Sequence, residues 1–180
     1  VSEIGRSFGE RPPDEPGPLT VNERASRWLR RHLAGSTTVL TTTSQGGYRG
    51  ATVSTCFVAS NSPFLVAVSL ERDSQMKEWV AESRVFAVSI LPWREKLRAD
   101  QFAGFIPLAS PTFEGIDHRI ADSGAPVLTG CIGWADCRLE DSVVTGDHTL
   151  VIGGVVACGI GAAVLDEPLI YYGGRYLRVG

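Results

Sequence analysis

The chain has 180 residues, of which 43% are hydrophobic and 21% charged, with a formal net charge of -3. This length suits one well-cored domain and is short for two of usual size. The acidic balance argues against a nucleic-acid surface, which shows a basic patch or stripe, and no run reaches the roughly 18 apolar residues that span a bilayer.

Residues 1–20 are polar and rich in Pro and Gly, as in Pro12-Pro-Asp-Glu-Pro-Gly-Pro18. They read as a flexible extension rather than a signal peptide, ahead of one domain over 21–180. Thr20 or Asn22 is placed to cap a helix that runs to about Leu33. Ala25, Trp28, Leu29 and Leu33 share one face of it, and arginines fill the other.

The period then changes from helix to strand. Thr37 to Thr43 is β-branched, Gln45-Gly46-Gly47 signals a turn, and Tyr48 to Ala59 pairs back. Phe64 to Leu70 is apolar enough for both its faces to be covered. A short helix follows over Ser74–Ser83, with Met76, Trp79 and Val80 inward, then a strand over Val85–Leu91 and a helix over Trp93–Phe102. Phe105 to Gly124 is punctuated by Pro and Gly and reads as a long loop. Long strands are expected at Val127–Leu139 and His148–Gly159, with bulges or tight barrel bends at Gly130, Gly133, Gly153 and Gly154. Leu169–Tyr172 and Tyr176–Val179 complete the sheet. Strands that never alternate with helices as βαβ predict a mainly β (α+β) antiparallel barrel, with two or three peripheral helices.

Several chemistries are set aside. Cys56, Cys131, Cys137 and Cys158 form no CxxC pair, so no zinc or other metal site is expected. They read as free, buried thiols in a reducing cytoplasm. Gly159-Ile-Gly161 lacks the third glycine and the helix of a dinucleotide fingerprint. Ser54 with Asp147-His148 lacks a GxSxG elbow, and adjacent Asp and His in a strand point to opposite faces.

Two segments carry the remaining signal. Gly50-Ala-Thr-Val-Ser-Thr-Cys-Phe-Val-Ala-Ser-Asn-Ser-Pro63 is dense in short hydroxyls, and Gly146-Asp147-His148-Thr149 sets a histidine between a turn and an apolar strand. Between and after them stand Ser69-Leu-Glu-Arg72-Asp73-Ser74, Phe102-Ala103-Gly104 and Pro168-Leu-Ile-Tyr-Tyr172-Gly-Gly-Arg-Tyr176. In this order, the five pieces resemble the flavin reductase-like family of FMN-binding split barrels over roughly residues 35–180.

The resemblance implies an antiparallel split barrel of Greek-key type that binds FMN or FAD and uses NADH or NADPH as hydride donor. It implies flavin contacts from Thr52, Val53, Ser54, Thr55, Ser60 and Ser69, with Arg72 and Ser74 at the phosphate. It sets Phe102, Ala103 and Gly104 beside the flavin tail. His148 is the candidate catalytic residue, and Tyr172, Gly173, Gly174 and Arg175 lie toward the nicotinamide. The physical chemistry agrees: hydroxyls and amides suit the ring's polar edge, Val53 and Phe57 give flat cover, and a helix start beside an arginine suits a phosphate.

The chain departs from the family pattern at Phe64, where a second proline is usual, at Met76, and at Gly173. Glu71 adds a negative charge near the expected phosphate. The expected activity is NAD(P)H-dependent reduction of flavin, with reduced flavin passed to a partner monooxygenase by a cytoplasmic homodimer. A flavoprotein that keeps its flavin and acts on an organic substrate, or a non-catalytic flavin-binding module, are the alternatives.

Overall fold

The computed structural model describes residues 22–105 and 113–179. The extension expected over 1–20 therefore lies outside the described residues. The chain divides into two compact units, Val1–Leu33 and Ala34–Gly180.

In the first unit, helix α1 (Glu23–His32) begins where expected. The Asn22 side chain accepts from the Ala25 amide at 2.9 Å, and Arg30, Arg31 and His32 occupy the last turn, where cations suit the helix dipole.

The second unit is built on antiparallel strands. In chain order these are β1 (Gly35–Ser36), β2 (Thr38–Ser44), β3 (Gly47–Val53), β4 (Cys56–Asn61), β5 (Phe64–Glu71), β6 (Val85–Ile90), β7 (His118–Ile120), β8 (Pro126–Leu128), β9 (Gly133–Thr145), β10 (His148–Ile160), β11 (Leu169–Tyr172) and β12 (Arg175–Arg178). Helix α2 (Gln75–Ser83) follows β5. A 3-10 turn at Trp93–Glu95 leads into α3 (Lys96–Phe102). Among the described residues no helix is long and apolar enough to cross a membrane.

Seven strands make the main sheet in the order β3-β2-β6-β9-β10-β5-β4. Its two edges, β3 and β4, are consecutive in the chain and joined only by Ser54 and Thr55. Three Cα steps span at most about 11 Å, whereas six strand spacings laid flat would separate the edges by about 29 Å. The sheet must therefore curl until its edges approach at Ser54–Thr55, without closing. This is the split barrel expected from the sequence.

Inside the curl, Leu40, Val66, Val68, Val80, Phe86, Cys137 and Val151 form one core. A second core, with Val39, Leu91, Ala99, Phe102, Phe113 and Leu169, lies under α3 and the small sheet β1-β11-β12. Glycine admits two close approaches here. A Cβ on Gly50 would stand 2.4 Å from Cε1 of Phe102, and one on Gly153 would stand 2.4 Å from Cζ of Phe86.

Several boundaries differ from expectation. The strand expected over Tyr48–Ala59 is broken at Ser54–Thr55, because the chain there crosses from one sheet edge to the other. The strand expected over Val127–Leu139 is two: β8 pairs with β7, inside the segment expected as a loop, and β9 continues to Thr145. The bulge expected near Gly153 is present, as a register shift between Ile152 and Gly153. All four cysteines are free, but only Cys131 and Cys137 are buried; Cys158 is exposed.

Candidate active site

A cavity of about 220 Å³ opens beside the split and is lined by Thr37, Thr52, Ser54, Ala103, Phe105, Tyr171 and Tyr176. Four distant stretches meet here for local reasons. The β2–β3 ladder pairs Val39 with Thr52 and Thr38 with Val53, so Thr37 and Ser54 occupy the next cross-strand position. Side chains alternate along strands, which puts Thr37, Thr52 and Ser54 on one face. Gly104 adopts a left-handed φ of 75° after α3, turning the chain so that Phe105 reaches the cavity. Gly173 and Gly174, both with positive φ, form the two-residue turn that folds β12 onto β11.

The hydroxyls differ in what they have left to give. Thr52 Oγ1 donates to the Ala99 carbonyl at 2.7 Å, and Thr55 Oγ1 donates to the Ser69 carbonyl at 2.8 Å. Both therefore tie the split to its neighbours and offer a ligand only acceptor lone pairs. The Ser60 hydroxyl accepts from the Ser62 amide at 3.2 Å. Ser60 pairs with Leu65, four residues along β5 from Ser69, or about 13 Å at strand spacing. The structure does not bring Ser60 to the cavity within this chain.

The C-terminal hairpin contributes by alternation. Tyr171 and Tyr176 face each other across β11–β12 with ring centroids 5.7 Å apart, and both line the cavity. Tyr172, Gly173, Gly174 and Arg175 form the hairpin's tip instead. Burial pushes the Tyr176 phenol up to about 12, with Asp100 and Tyr171 adding to the effect, so it stays protonated and able to donate. Phe102 is buried in the second core and does not line the cavity, while its neighbour Ala103 does.

The expected phosphate and histidine elements meet at the far end of β5. Arg72 donates its amide to the Asp147 carbonyl at 3.0 Å, and His148 sits opposite Glu71 in the β5–β10 ladder. Ser74 stands at the N-cap of α2 without spending its hydroxyl on a cap bond, and of the first-turn amides the Lys77 N–H is engaged by the Ser74 carbonyl at 3.1 Å. That leaves the hydroxyl and the amides of Gln75 and Met76 for an anion. Among the described residues no carboxylate pairs with the Arg72 guanidinium. Lys77 stands beside it, its Nζ donating to the Arg72 carbonyl at 2.6 Å and pairing with Glu78 Oε1 at 2.8 Å. The sequence reading missed Lys77, although its place three residues past the N-cap was the available signal.

The His148 ring lies 2.8 Å from Asp147 Oδ1 through Nδ1, with 32% of the side chain exposed. It is not a core histidine bonded to backbone. The two side chains meet because Asp147 belongs to the turn and only His148 has entered β10. A carboxylate only accepts, so Nδ1 carries the proton and Nε2 is the nitrogen left for other partners.

These features fit a flavin. The cavity has flat apolar cover from Phe105 and two tyrosines, a hydroxyl-bearing face, and in Thr37 a buried hydroxyl with no partner. The sequence reading missed Thr37, Phe105, Tyr171 and Tyr176. Among the described residues no group of acidic, histidine or cysteine side chains could hold a metal ion.

Comparison with known proteins shows the family and the fold. The sequence profile of the flavin reductase like domain matches residues 29–180. An FMN reductase (NADH), RutF 2 of Methylorubrum extorquens, is 31% identical over 162 residues, covering 90% of this chain and 92% of that protein. The Streptomyces globisporus NADH:FAD oxidoreductase SgcE6 superposes with a TM-score of 0.80 at 27% identity, over 92% of this chain and 99% of that one. The styrene monooxygenase flavin reductase of Pseudomonas putida S12 gives a TM-score of 0.76 at 29% identity, over 86% and 97%.

Proposed function

The chain belongs to the flavin reductase-like family, and from that premise we propose that it is an NAD(P)H-dependent flavin reductase serving a partner monooxygenase. The observation that carries this reading is the cavity at the split. There the hydroxyl face of β2–β3, the end of α3 and the tyrosines of the last hairpin converge on a space with flat walls. The relatives supply the chemistry by analogy: one is named for FMN, one for FAD, and one as the reductase of a monooxygenase.

When bound, flavin supplies the hydride acceptor and the nicotinamide dinucleotide the donor. The protein's contribution is mostly position, because hydride transfer needs two rings stacked at contact distance. Phe105, Tyr171 and Tyr176 give apolar cover and exclude water. Ser54 and the amides of the split address the flavin's polar edge. Arg72, Lys77 and the start of α2 hold the ribityl phosphate. His148, with its Nδ1 proton held by Asp147, presents Nε2 to orient the nicotinamide.

Dimerisation is part of the proposal. Phe57 and Val58 on edge strand β4 are 51% and 56% exposed, and Val156 and Ile160 on β10 are also exposed. Apolar side chains on a sheet edge suit a second copy of the chain. Of the two long apolar segments Val127–Leu139 and His148–Gly159, the first offers less to a partner, because Val127, Leu128, Ala135, Cys137 and Leu139 are buried within the chain. The proposal also places the protein in the cytoplasm, with its dinucleotide donor.

The test is anaerobic mixing of the protein with NADH or NADPH and excess FMN or FAD, followed at the flavin absorbance band. Bleaching over many turnovers is expected. Bound flavin that no dinucleotide reduces would replace this reading with a flavoprotein acting on another substrate.

A further inference from the structure

Thr37 is 1% exposed, and its Oγ1 is buried without a hydrogen-bond partner among the described residues. Leaving a buried hydroxyl unsatisfied forfeits its hydration without return, so most such groups in folded proteins have a partner. The backbone offers no relief, because both of its groups are already engaged. The Thr37 amide donates to the Leu169 carbonyl at 2.8 Å, and its carbonyl accepts from the Leu91 amide at 3.0 Å. Leu169 in turn donates to the Leu91 carbonyl at 2.9 Å. This triangle of backbone bonds fixes the residue between β1 and β2.

Thr38 separates an orphan hydroxyl from a binding one. Its Oγ1 is equally buried and equally unpartnered, yet it does not line the cavity. Thr37 does. Of the threonines beside it, Thr52 is spent on Ala99 and Thr55 on Ser69. Thr37 is thus a rigidly held donor beside a cavity that Ser54, Ala103, Phe105 and two tyrosines also line.

We infer that the Thr37 hydroxyl donates a hydrogen bond to a carbonyl oxygen on the pyrimidine edge of the flavin ring, an inference that rests on the function proposed above. A flat ring that fills an aromatic-walled space can meet this hydroxyl only with an edge that carries an acceptor. The dimethylbenzene edge of the flavin carries none. Thr37 therefore sets which edge of the ring enters toward β1 and β2, and it discriminates flavins by ring rather than by tail.

The test is Thr37→Val, which keeps the branched shape and removes the hydroxyl, beside Thr37→Ser, which keeps the hydroxyl. Dissociation constants for FMN, riboflavin and lumiflavin are read by flavin fluorescence, and the melting temperature is read on flavin-free protein. With Thr37→Val, all three constants are expected to rise by the same factor, about 2- to 12-fold. The flavin-free melting temperature is expected to hold or rise, and Thr37→Ser to bind close to wild type. Unchanged constants would overturn the inference, as would a loss confined to FMN or a fall in the flavin-free melting temperature. A rise in the dinucleotide KM without any change in flavin binding would assign the hydroxyl to the nicotinamide and overturn it equally. Failure of the wild-type protein to bind any of the three flavins would instead remove the proposed function itself.

Discussion

Asp147 holds His148 through its side chain, accepting from Nδ1 at 2.8 Å, while its carbonyl accepts from the Arg72 amide at 3.0 Å. One turn residue therefore joins the histidine to the cationic start of α2. Replacing His148 by Ala removes the ring and its bond to Asp147 but leaves the backbone bond from Arg72 to Asp147 intact. The expected result is a loss of about 10- to 100-fold in kcat/KM for the dinucleotide. Flavin affinity should stay within about 2-fold, since no neutral hydrogen bond of typical strength is lost. Steady-state kinetics and flavin titration together check this. A collapse of flavin binding would instead move His148 into the flavin pocket.

Arg72, Ser74 and Lys77 surround one helix start, so their removal should be felt through the phosphate. Arg72→Gln and Ser74→Ala are each expected to weaken FMN by about 10-fold, the scale of a charge-assisted hydrogen bond. Riboflavin, which has no phosphate, should bind as before. Parallel titrations of both flavins decide the point. Equal weakening would mean that the two residues shape the ring site.

Gly35 pairs with Tyr171, and a Cβ on it would stand 2.4 Å from the Ser54 carbonyl oxygen. That neighbour is backbone and cannot swing aside, so Gly35→Ala must displace the link between the sheet edges. The expected outcome is destabilisation of about 1–3 kcal/mol, with flavin affinity falling alongside. A denaturant melt and a flavin titration on the same preparation measure both. An unaltered flavin constant would show that the site does not depend on Ser54.

Burial pushes the thiols of Cys56 and Cys137 up to about 12. In the unfolded chain such thiols ionise near their ordinary value of about 8.5. The folded state then keeps protons that the unfolded state releases. Their contribution to stability is complete below the ordinary value and is lost as pH climbs from there toward 12. Urea midpoints should accordingly fall between pH 8 and pH 11 by more than in a Cys56→Ala variant, whose slope is expected to be shallower.

The architecture was largely legible because β-branched runs, turn glycines and unalternating strands repeat one message along the chain. The break at Ser54–Thr55 was not legible. Serine, threonine and cysteine in sequence read as a continuing strand, and only the meeting of distant edges ends it. Strand β7 was hidden in a Pro- and Gly-punctuated segment, since its partner β8 supplies the order that its own residues do not. At the site, Ser54, Ala103 and the Arg72–Ser74 turn stood out because short motifs carry them. Thr37 did not, because a hydroxyl in a β-branched run looks like strand propensity until its missing partner is seen. Tyr171 and Tyr176 were missed by one position each, a consequence of pairing across a hairpin whose register no local signal fixes.

The cavity draws its walls from Thr37 at one extreme and Tyr176 at the other, and the backbone bonds from Thr37 to Leu91 and Leu169 hold those walls together. The seven-stranded sheet can curl without β11 and β12, but the wall shared by β1 and the β11–β12 hairpin forms only when segments more than a hundred residues apart have paired. Such non-local closure slows folding, and it makes the cavity a late feature of the folding reaction. A truncated copy lacking the last hairpin would keep much of the barrel, yet have no closed place in which to bind the ring.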